Sequence, residues 1–263
     1  MIDILKRNNV NIIGKGNKVM LFAHGFGCSQ NAWKRIISSF ADEYKLVLFD
    51  YVGAGKSDIS AYDKSKYNTL EGYEEDVIEI CEELKIKDGI FIGHSVSSMI
   101  GALVAIKHPS FFKKLIFIAP SPCYINDEGY VGGFEKEDID ALLELMEEDY
   151  VAWAKEMAPV IVANPEHPEL ADEIKDNFCT TDNEILKQFA RVTFLSDNRN
   201  DLPDIPVESL TLQCSEDMIA PIEVGKYINE KTPKNKLVIL KATGHCPHMS
   251  APEETINAIK SFL

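Results

Sequence analysis

The sequence predicts an α/β protein with a mostly parallel, doubly wound sheet and four further helices inserted late in the chain. Short, almost continuously apolar runs, such as the one from Leu46 to Phe49, are typical of strands that are buried on both faces. Amphipathic helical patterns follow these runs, and this alternation favours parallel strands joined by helices. The alternation stops between residues 134 and 195, where the apolar residues have helical spacing alone.

The apolar pattern places the predicted elements in chain order. Strands are predicted at residues 18–23, 45–51, 89–93, 114–119, 210–214 and 237–241, with an earlier pair of strands near 6–13. Helices are predicted at residues 30–40, 69–84, 96–107, 221–229 and 252–262. The helix 96–107 ends before Pro109, because a residue that precedes proline disfavours the helical region.

The segment 134–195 carries four apolar stripes, of which Ile139, Leu142, Leu143 and Met146 form the first. We interpret this segment as a helical lid, inserted into a core that consists of residues 1–133 and 196–263. A lid at this point would cover the carboxyl ends of the strands, where open α/β sheets bind ligands. The alternative is a set of ordinary peripheral helices.

Composition and charge argue against several classes of protein. A net charge of −15 over 263 residues disfavours binding to nucleic acid or to anionic membranes. The N-terminal residues lack the pattern of an export signal, and no apolar stretch approaches the roughly 20 residues that cross a bilayer. The six cysteines are scattered without C-x-x-C spacing, so we expect reduced thiols in a cytoplasmic protein.

Ser95 follows an apolar strand and precedes a predicted helix. A serine on such a sharp strand-to-helix turn is exposed above the sheet, which suits a nucleophile. Gly93 permits the turn, whereas position 97 is Ser where the G-x-S-x-G pattern has Gly. The other interpretation is that Ser95 merely caps the helix that follows it.

A serine nucleophile needs a base, and the base needs a carboxylate that orients it. His245 is the favoured base, because it follows the last strand and Gly244 gives the loop freedom to present it. His248 in the same loop is expected to be structural. Asp217, after the penultimate strand, is the candidate carboxylate, with Glu216 as its rival.

Two backbone N–H groups are candidates for an oxyanion hole. One belongs to Val96, which follows the nucleophile, and the other to Phe26, in the glycine-rich turn after an early strand. The Phe26 ring would then line the pocket floor. His24 and His94 flank glycine turns and are expected to shape the site rather than to act in it.

We expect neither a metal nor a cofactor. The glycines and Lys56 near residues 53–57 lack the spacing of a phosphate-binding loop. Cys246 stands beside His245, but four ligands at the spacing of a zinc site are absent from the sequence.

Together these residues resemble the α/β-hydrolase superfamily, in which the triad follows the chain order Ser, Asp, His. The likeness is greatest to the RsbQ-like bacterial stress-response hydrolases and to their plant relatives, the karrikin and strigolactone receptors. The segments that carry it are AHGFGC at 23–28, QN at 30–31, Trp33, GHSVSSMIG at 93–101, GGFE at 132–135, FLSD at 194–197, CSED at 214–217 and GHCPH at 244–248. The serine at position 97 fits this subfamily.

The resemblance implies a triad of Ser95, His245 and Asp217, with Phe26 and Val96 as the oxyanion donors. It also implies a four-helix lid over a small hydrophobic pocket.

Phe134 and Phe194 match lid positions that line the pocket in the family. By position we add Trp153, Met157 and Phe178 as lining candidates, although each could equally belong to the core of the lid.

The implied activity is hydrolysis of a small hydrophobic ester or lactone. The implied partner is a PP2C-type phosphatase with a sensory domain, upstream of a general-stress sigma factor. One alternative is a slow-turnover, ligand-binding signalling module, in which a protein partner recognises the lid. Another is a cofactor-free haloperoxidase or carbon–carbon hydrolase that uses the same triad.

Overall fold

A seven-stranded sheet forms the centre of the computed structural model, which describes residues 3–263 apart from the side chain of Thr180. The strands are β1 (Asn11–Ile13), β2 (Lys18–Ala23), β3 (Tyr44–Leu48), β4 (Gly89–His94), β5 (Phe112–Ile118), β6 (Glu208–Glu216) and β7 (Asn235–Thr243). Their order across the sheet is β1-β3-β2-β4-β5-β6-β7. β1 pairs antiparallel with β3, and all the other neighbours pair parallel. The predicted mostly parallel sheet is confirmed.

Helices cover both faces of the sheet. The helices outside the segment 134–195 are α1 (Ile4–Arg7), α2 (Leu70–Glu83), α3 (Val96–Lys107), α8 (Ile222–Lys231), α9 (Pro247–Ser250) and α10 (Pro252–Phe262). Apolar side chains of α2, α3 and α8 form a core on one face, and those of α10 pack on the other. Among residues 3–263, no helix combines the length and apolar composition that crossing a bilayer requires.

Two sequence predictions of secondary structure are wrong. The expected pair of strands near 6–13 is one helical turn, capped by the Asp3 side chain, followed by the single strand β1. The expected helix at 30–40 is two 3-10 turns, Gln30–Trp33 and Ile37–Ser39. Consecutive β-branched residues, Ile36 and Ile37, disfavour a continuous helix there. Their apolar pattern reflects burial against the sheet rather than helical periodicity.

Four consecutive helices occupy most of the segment 134–195. They are α4 (Lys136–Glu148), α5 (Tyr150–Val162), α6 (Pro168–Thr180) and α7 (Asn183–Phe194), called here the four-helix segment. Acceptor side chains mark two of the starts: Asp149 accepts the N–H of Ala152, and Asp182 accepts that of Ile185. The apolar stripes of these helices pack together and against core residues such as Tyr124 and Met249.

The parallel pairing brings four loops to one edge of the sheet. Phe26 follows β2, Ser95 follows β4, Asp217 follows β6 and His245 follows β7. Because these strands run in the same direction, their carboxyl ends meet at one edge, and the four-helix segment lies over it.

Candidate active site

Ser95 occupies a backbone conformation that non-glycine residues rarely adopt. Its φ is 55° and its ψ is −127°, and such strain typically costs on the order of 1–3 kcal/mol. The Ser95 N–H donates to the carbonyl of Ile118 on β5 at 2.9 Å, which fixes the turn to the sheet. The side chain does not cap α3. Instead, Ser95 Oγ lies 2.8 Å from Nε2 of His245.

The serine at position 97 has a structural explanation. Its hydroxyl donates to the carbonyl of His24 and lies 2.9 Å from the hydroxyl of Tyr51. These bonds tie the start of α3 to the ends of β2 and β3. A glycine in this position would leave the carbonyl of His24 without this donor.

Asp217 and His245 complete the hydrogen-bonded chain. Nδ1 of His245 lies 2.7 Å from Oδ2 of Asp217, and Oδ1 of Asp217 accepts the N–H groups of Ile219 and Ala220. Because a carboxylate only accepts hydrogen bonds, the His245 proton lies on Nδ1, and Nε2 is free to accept one from Ser95. The rival carboxylate, Glu216, is exposed to solvent.

Gly244 allows the loop to present His245. Its φ is +78°, and a Cβ at this position would overlap the carbonyl oxygen of Val162 at the end of α5. Any other residue would therefore be strained and would also push the loop away from the four-helix segment.

The two predicted oxyanion donors lie at the expected turns. Val96 is the first residue of α3, so no preceding helical turn offers a carbonyl to its N–H. Phe26 lies between Gly25 and Gly27 in the turn that follows β2. The role of these N–H groups stays a prediction. Gly27 also leaves room for the ring of Phe178, which a Cβ would overlap.

A small apolar cavity lies over Ser95. It offers about 30 Å³ to the centres of water-sized molecules, which is room for about two waters. Five predicted lining residues contribute to its wall: Phe26, Trp153, Met157, Phe178 and Phe194. The other lining residues are Cys28, His94, Ser95, Tyr124, Ile161, Ile174, Thr193, Ile219, His245 and Cys246.

The prediction that Phe134 lines the cavity is wrong. Its N–H donates to the carbonyl of Tyr124, and its carbonyl accepts the N–H of Asn126. These bonds hold Phe134 beside the loop that follows β5, where its half-buried ring packs against the edge of the apolar cluster.

Two polar residues of the cavity wall, Tyr124 and Thr193, were not found from the sequence. The Tyr124 hydroxyl lies 3.2 Å from Ser95 Oγ, and burial raises its pKa above the ordinary value, so it stays protonated. The Thr193 hydroxyl and the Trp153 indole N–H are buried, and neither has a hydrogen-bond partner among the described residues. Tyr124 lies in an irregular loop and Thr193 in a helix whose apolar pattern predicts packing, so no sequence signal marked either residue. Trp153 was a lining candidate from the sequence, but for its position alone and not for its indole N–H.

Three buried histidines surround this centre. Burial lowers the pKa of His24, lowers that of His94 well below its usual value, and lowers that of His248 to about 3. His248 packs on the rings of Trp33 and His94, and neither of its ring nitrogens has a hydrogen-bond partner in the described structure. All three are therefore neutral near pH 7, and His248 is a packing residue, as expected. Within residues 3–263, no cluster of three or more His, Cys, Asp or Glu side chains is arranged to hold a metal ion.

Comparisons with known proteins identify the fold family of the chain. Residues 18–158, more than half of the chain, match the model of the alpha/beta hydrolase fold family. The chain belongs to the α/β-hydrolase family. It is 36% identical to a karrikin insensitive 2 receptor of Petunia hybrida over 95% of this chain and 93% of the relative. It is 35% identical to a strigolactone esterase of Arabidopsis thaliana over 99% and 98% of the two chains.

A solved structure adds to this family assignment. A hydrolase from Oleispira antarctica superposes with a TM-score of 0.97 at 40% identity, over 99% of this chain and 96% of that one. The fold and these relatives support a hydrolase of the carboxylesterase type.

Acid should destabilise the protein through His248. Its pKa is about 3 when folded and near 6.5 when unfolded, so the unfolded chain binds the proton between these values. The contribution of neutral His248 to the free energy of unfolding is therefore complete above pH 6.5, and it is lost as the pH falls towards 3. In urea unfolding, the free energy of unfolding of His248→Phe should fall less with acid than that of the parent. The difference should be roughly 1 kcal/mol per pH unit below pH 6. Equal acid sensitivity of parent and variant would contradict the assignment.

Proposed function

We propose that this α/β-hydrolase cleaves small, largely apolar esters or lactones through Ser95. The observation that carries the proposal is the unbroken hydrogen-bonded chain from Asp217 through His245 to Ser95, which ends in an apolar cavity. The Asp217 carboxylate accepts the hydrogen bond of Nδ1, which orients the imidazole with Nε2 towards Ser95.

In the proposed mechanism, Nε2 of His245 takes the Ser95 proton while Oγ attacks the carbonyl carbon of the substrate. Asp217 stabilises the imidazolium that forms. The N–H groups of Phe26 and Val96 bind the developing oxyanion. His245 then gives its proton to the leaving oxygen, and the acyl group stays on Ser95. A water molecule that His245 activates releases the acid and restores the serine.

The cavity dimensions support a small substrate and a mobile lid. Space for about two waters is smaller than an ester, which favours a shift of the four-helix segment when a substrate binds. In this proposal the four-helix segment acts as the lid. Trp153 and Met157 on α5 and Phe178 on α6 form the apolar wall that the substrate contacts.

Two residues that line the cavity, Thr193 and Trp153, carry buried donors without a partner, which supports a substrate with a second acceptor oxygen. A buried hydroxyl or N–H without a partner typically costs about 1–3 kcal/mol. A ligand oxygen that bonds Thr193 or Trp153 would recover this cost. Compounds with an ether or carbonyl oxygen away from the scissile bond fit this requirement better than plain alkyl esters.

Replacement of the triad residues should abolish ester hydrolysis in a folded protein. With p-nitrophenyl acetate, Ser95→Ala should lower kcat by about 10⁴-fold or more, and Asp217→Asn by about 10⁴-fold, because the imidazole loses its orienting acceptor. The matched controls are Ser98→Ala, a buried serine of α3, and Glu216→Gln, the exposed neighbour of Asp217. Both controls should stay within about threefold of the parent. Parent-like activity of folded Ser95→Ala would contradict the proposal.

Removal of the Thr193 hydroxyl should change substrate preference. Thr193→Val keeps the side-chain shape, so kcat/KM for p-nitrophenyl methoxyacetate should fall about 3- to 10-fold relative to the isosteric butyrate, the worth of one neutral hydrogen bond. Thr232→Val is the control, because its hydroxyl is also buried without a partner but lies outside the cavity. If the ratio of the two kcat/KM values is unchanged in Thr193→Val, this hydroxyl does not bind the substrate's second oxygen.

We also propose that the hydrolase acts in RsbQ-like stress signalling, as the cytoplasmic partner of a PP2C-type phosphatase with a sensory domain. Two relatives at 36% identity are named as receptors, which supports a signalling role for a protein of this shape. The six cysteines are all unpaired, which supports a reducing compartment. A signal requires that the partner binds the two lid states with different affinity.

The signalling proposal is tested with the purified hydrolase and such a phosphatase from the same host. Binding is measured by calorimetry with the free hydrolase and with the hydrolase phosphonylated on Ser95. We expect the two affinities to differ at least about fivefold. No binding in either state, or equal binding in both, would contradict the signalling role and leave the hydrolase proposal intact.

A further inference from the structure

The ring of His94 lies between two of the loops that carry the proposed catalytic groups. His94 directly precedes Ser95 at the end of β4. Its Nε2 lies 2.8 Å from the carbonyl oxygen of His245. On the other side, a Cβ on Gly25, in the turn that presents Phe26, would lie 2.5 Å from His94 Nδ1. One side chain therefore contacts the turn of the proposed oxyanion hole and the loop of the base, and it adjoins the nucleophile along the chain.

The hydrogen bond from His94 has a defined direction. A carbonyl oxygen can only accept a hydrogen bond. Nε2 of His94 therefore carries the proton and donates a hydrogen bond to the carbonyl oxygen of His245. Nδ1 has no hydrogen-bond partner among the described residues. Burial, together with the neighbouring His248 and His245, lowers the pKa of His94, so the ring is neutral and has one donor. That donor binds the main-chain carbonyl of His245, the proposed base.

The peptide groups of His245 are held from two sides. The His245 N–H donates to the carbonyl of Ile161 at 2.8 Å, in the last turn of α5. The carbonyl of His245 accepts from His94. Ile161 belongs to the proposed lid, which in this proposal shifts when substrate binds, whereas His94 belongs to a central strand of the sheet. The support from His94 is therefore the one that persists when the lid shifts.

We infer that His94 is a positioning residue of the triad, which holds the His245 carbonyl so that the imidazole stays within hydrogen-bond reach of Ser95. This inference rests on the proposed hydrolase function. The bond from His94 acts on the main chain of the base and leaves the protonation of the imidazole to Asp217. Small displacements of a catalytic group can cost up to about 10²-fold in rate.

The test compares three replacements of His94 with one of its neighbour. The amide of Gln can place a donor where Nε2 stands, whereas that of Asn is one methylene too short, and Phe keeps the ring without a donor. With p-nitrophenyl acetate we expect kcat to fall about 10- to 100-fold in His94→Asn and His94→Phe, and by no more than about threefold in His94→Gln. KM should change less than kcat. If His94→Phe does not fold, the Gln and Asn pair decides.

His248→Phe is the matched control, since it makes the same change in a buried ring 4.5 Å away that donates no hydrogen bond. Its kcat should stay within about twofold of the parent. Parent-like kcat in folded His94→Asn and His94→Phe, or equal losses in His94→Gln and His94→Phe, would overturn the positioning role. Ser95→Ala is measured alongside: if it retains activity, the hydrolase proposal itself fails, whereas a parent-like His94→Asn beside an inactive Ser95→Ala removes only this inference.

Discussion

The candidate active site depends on the reach of one loop across the sheet. The loop after β7 carries His245 back over β6 and β5 to Ser95, which follows β4. Neighbouring strands lie about 4.8 Å apart, so this reach is about 14 Å. Asp217 follows β6, which lies between them, and meets the imidazole on the way. Ser95 and Gly244 both have a positive φ. These backbone conformations allow the two loops to bring Ser95 and His245 together.

In our account, the same loop links the proposed base to the proposed lid. α5 lines the cavity through Trp153 and Met157, and its last turn accepts the N–H of His245 through Ile161. A shift of α5 that enlarges the cavity therefore also acts on the main chain of the proposed base. In our account His94 keeps the base in place during that shift, because it is attached to the sheet. An apolar cavity also strengthens the electrostatic interactions inside it once water is excluded.

Much of this architecture could be predicted from the sequence, for identifiable reasons. Strands that are buried on both faces leave long apolar runs, so six strands were placed close to their observed positions. Ser95, Asp217 and His245 each directly follow a strand or its terminal glycine, and parallel strands bring such positions to one edge. Other features depend on contacts between distant parts of the chain. Phe134 was placed in the cavity by resemblance alone, and its main-chain hydrogen bonds to Tyr124 and Asn126 hold it beside the cavity instead.

The residues that sequence reasoning missed have polar groups whose role depends on partners far away in the chain. Tyr124 lies in an irregular loop, yet its hydroxyl meets Ser95, 29 positions earlier. His94 was expected to shape the site, but its bond to the carbonyl of His245 spans 151 positions and leaves no local pattern. In the sequence, Thr193 is indistinguishable from other residues of its helix. Only the structure shows that its hydroxyl has no hydrogen-bond partner among the described residues.

The most direct test of the hydrolase account is the intact mass of the protein after reaction with a fluorophosphonate, followed by peptide mapping. An assembled triad predicts one adduct per chain, located on Ser95, absent from Ser95→Ala and formed much more slowly in Asp217→Asn. A folded parent that gains no adduct, or one that is modified at another residue, would contradict the account.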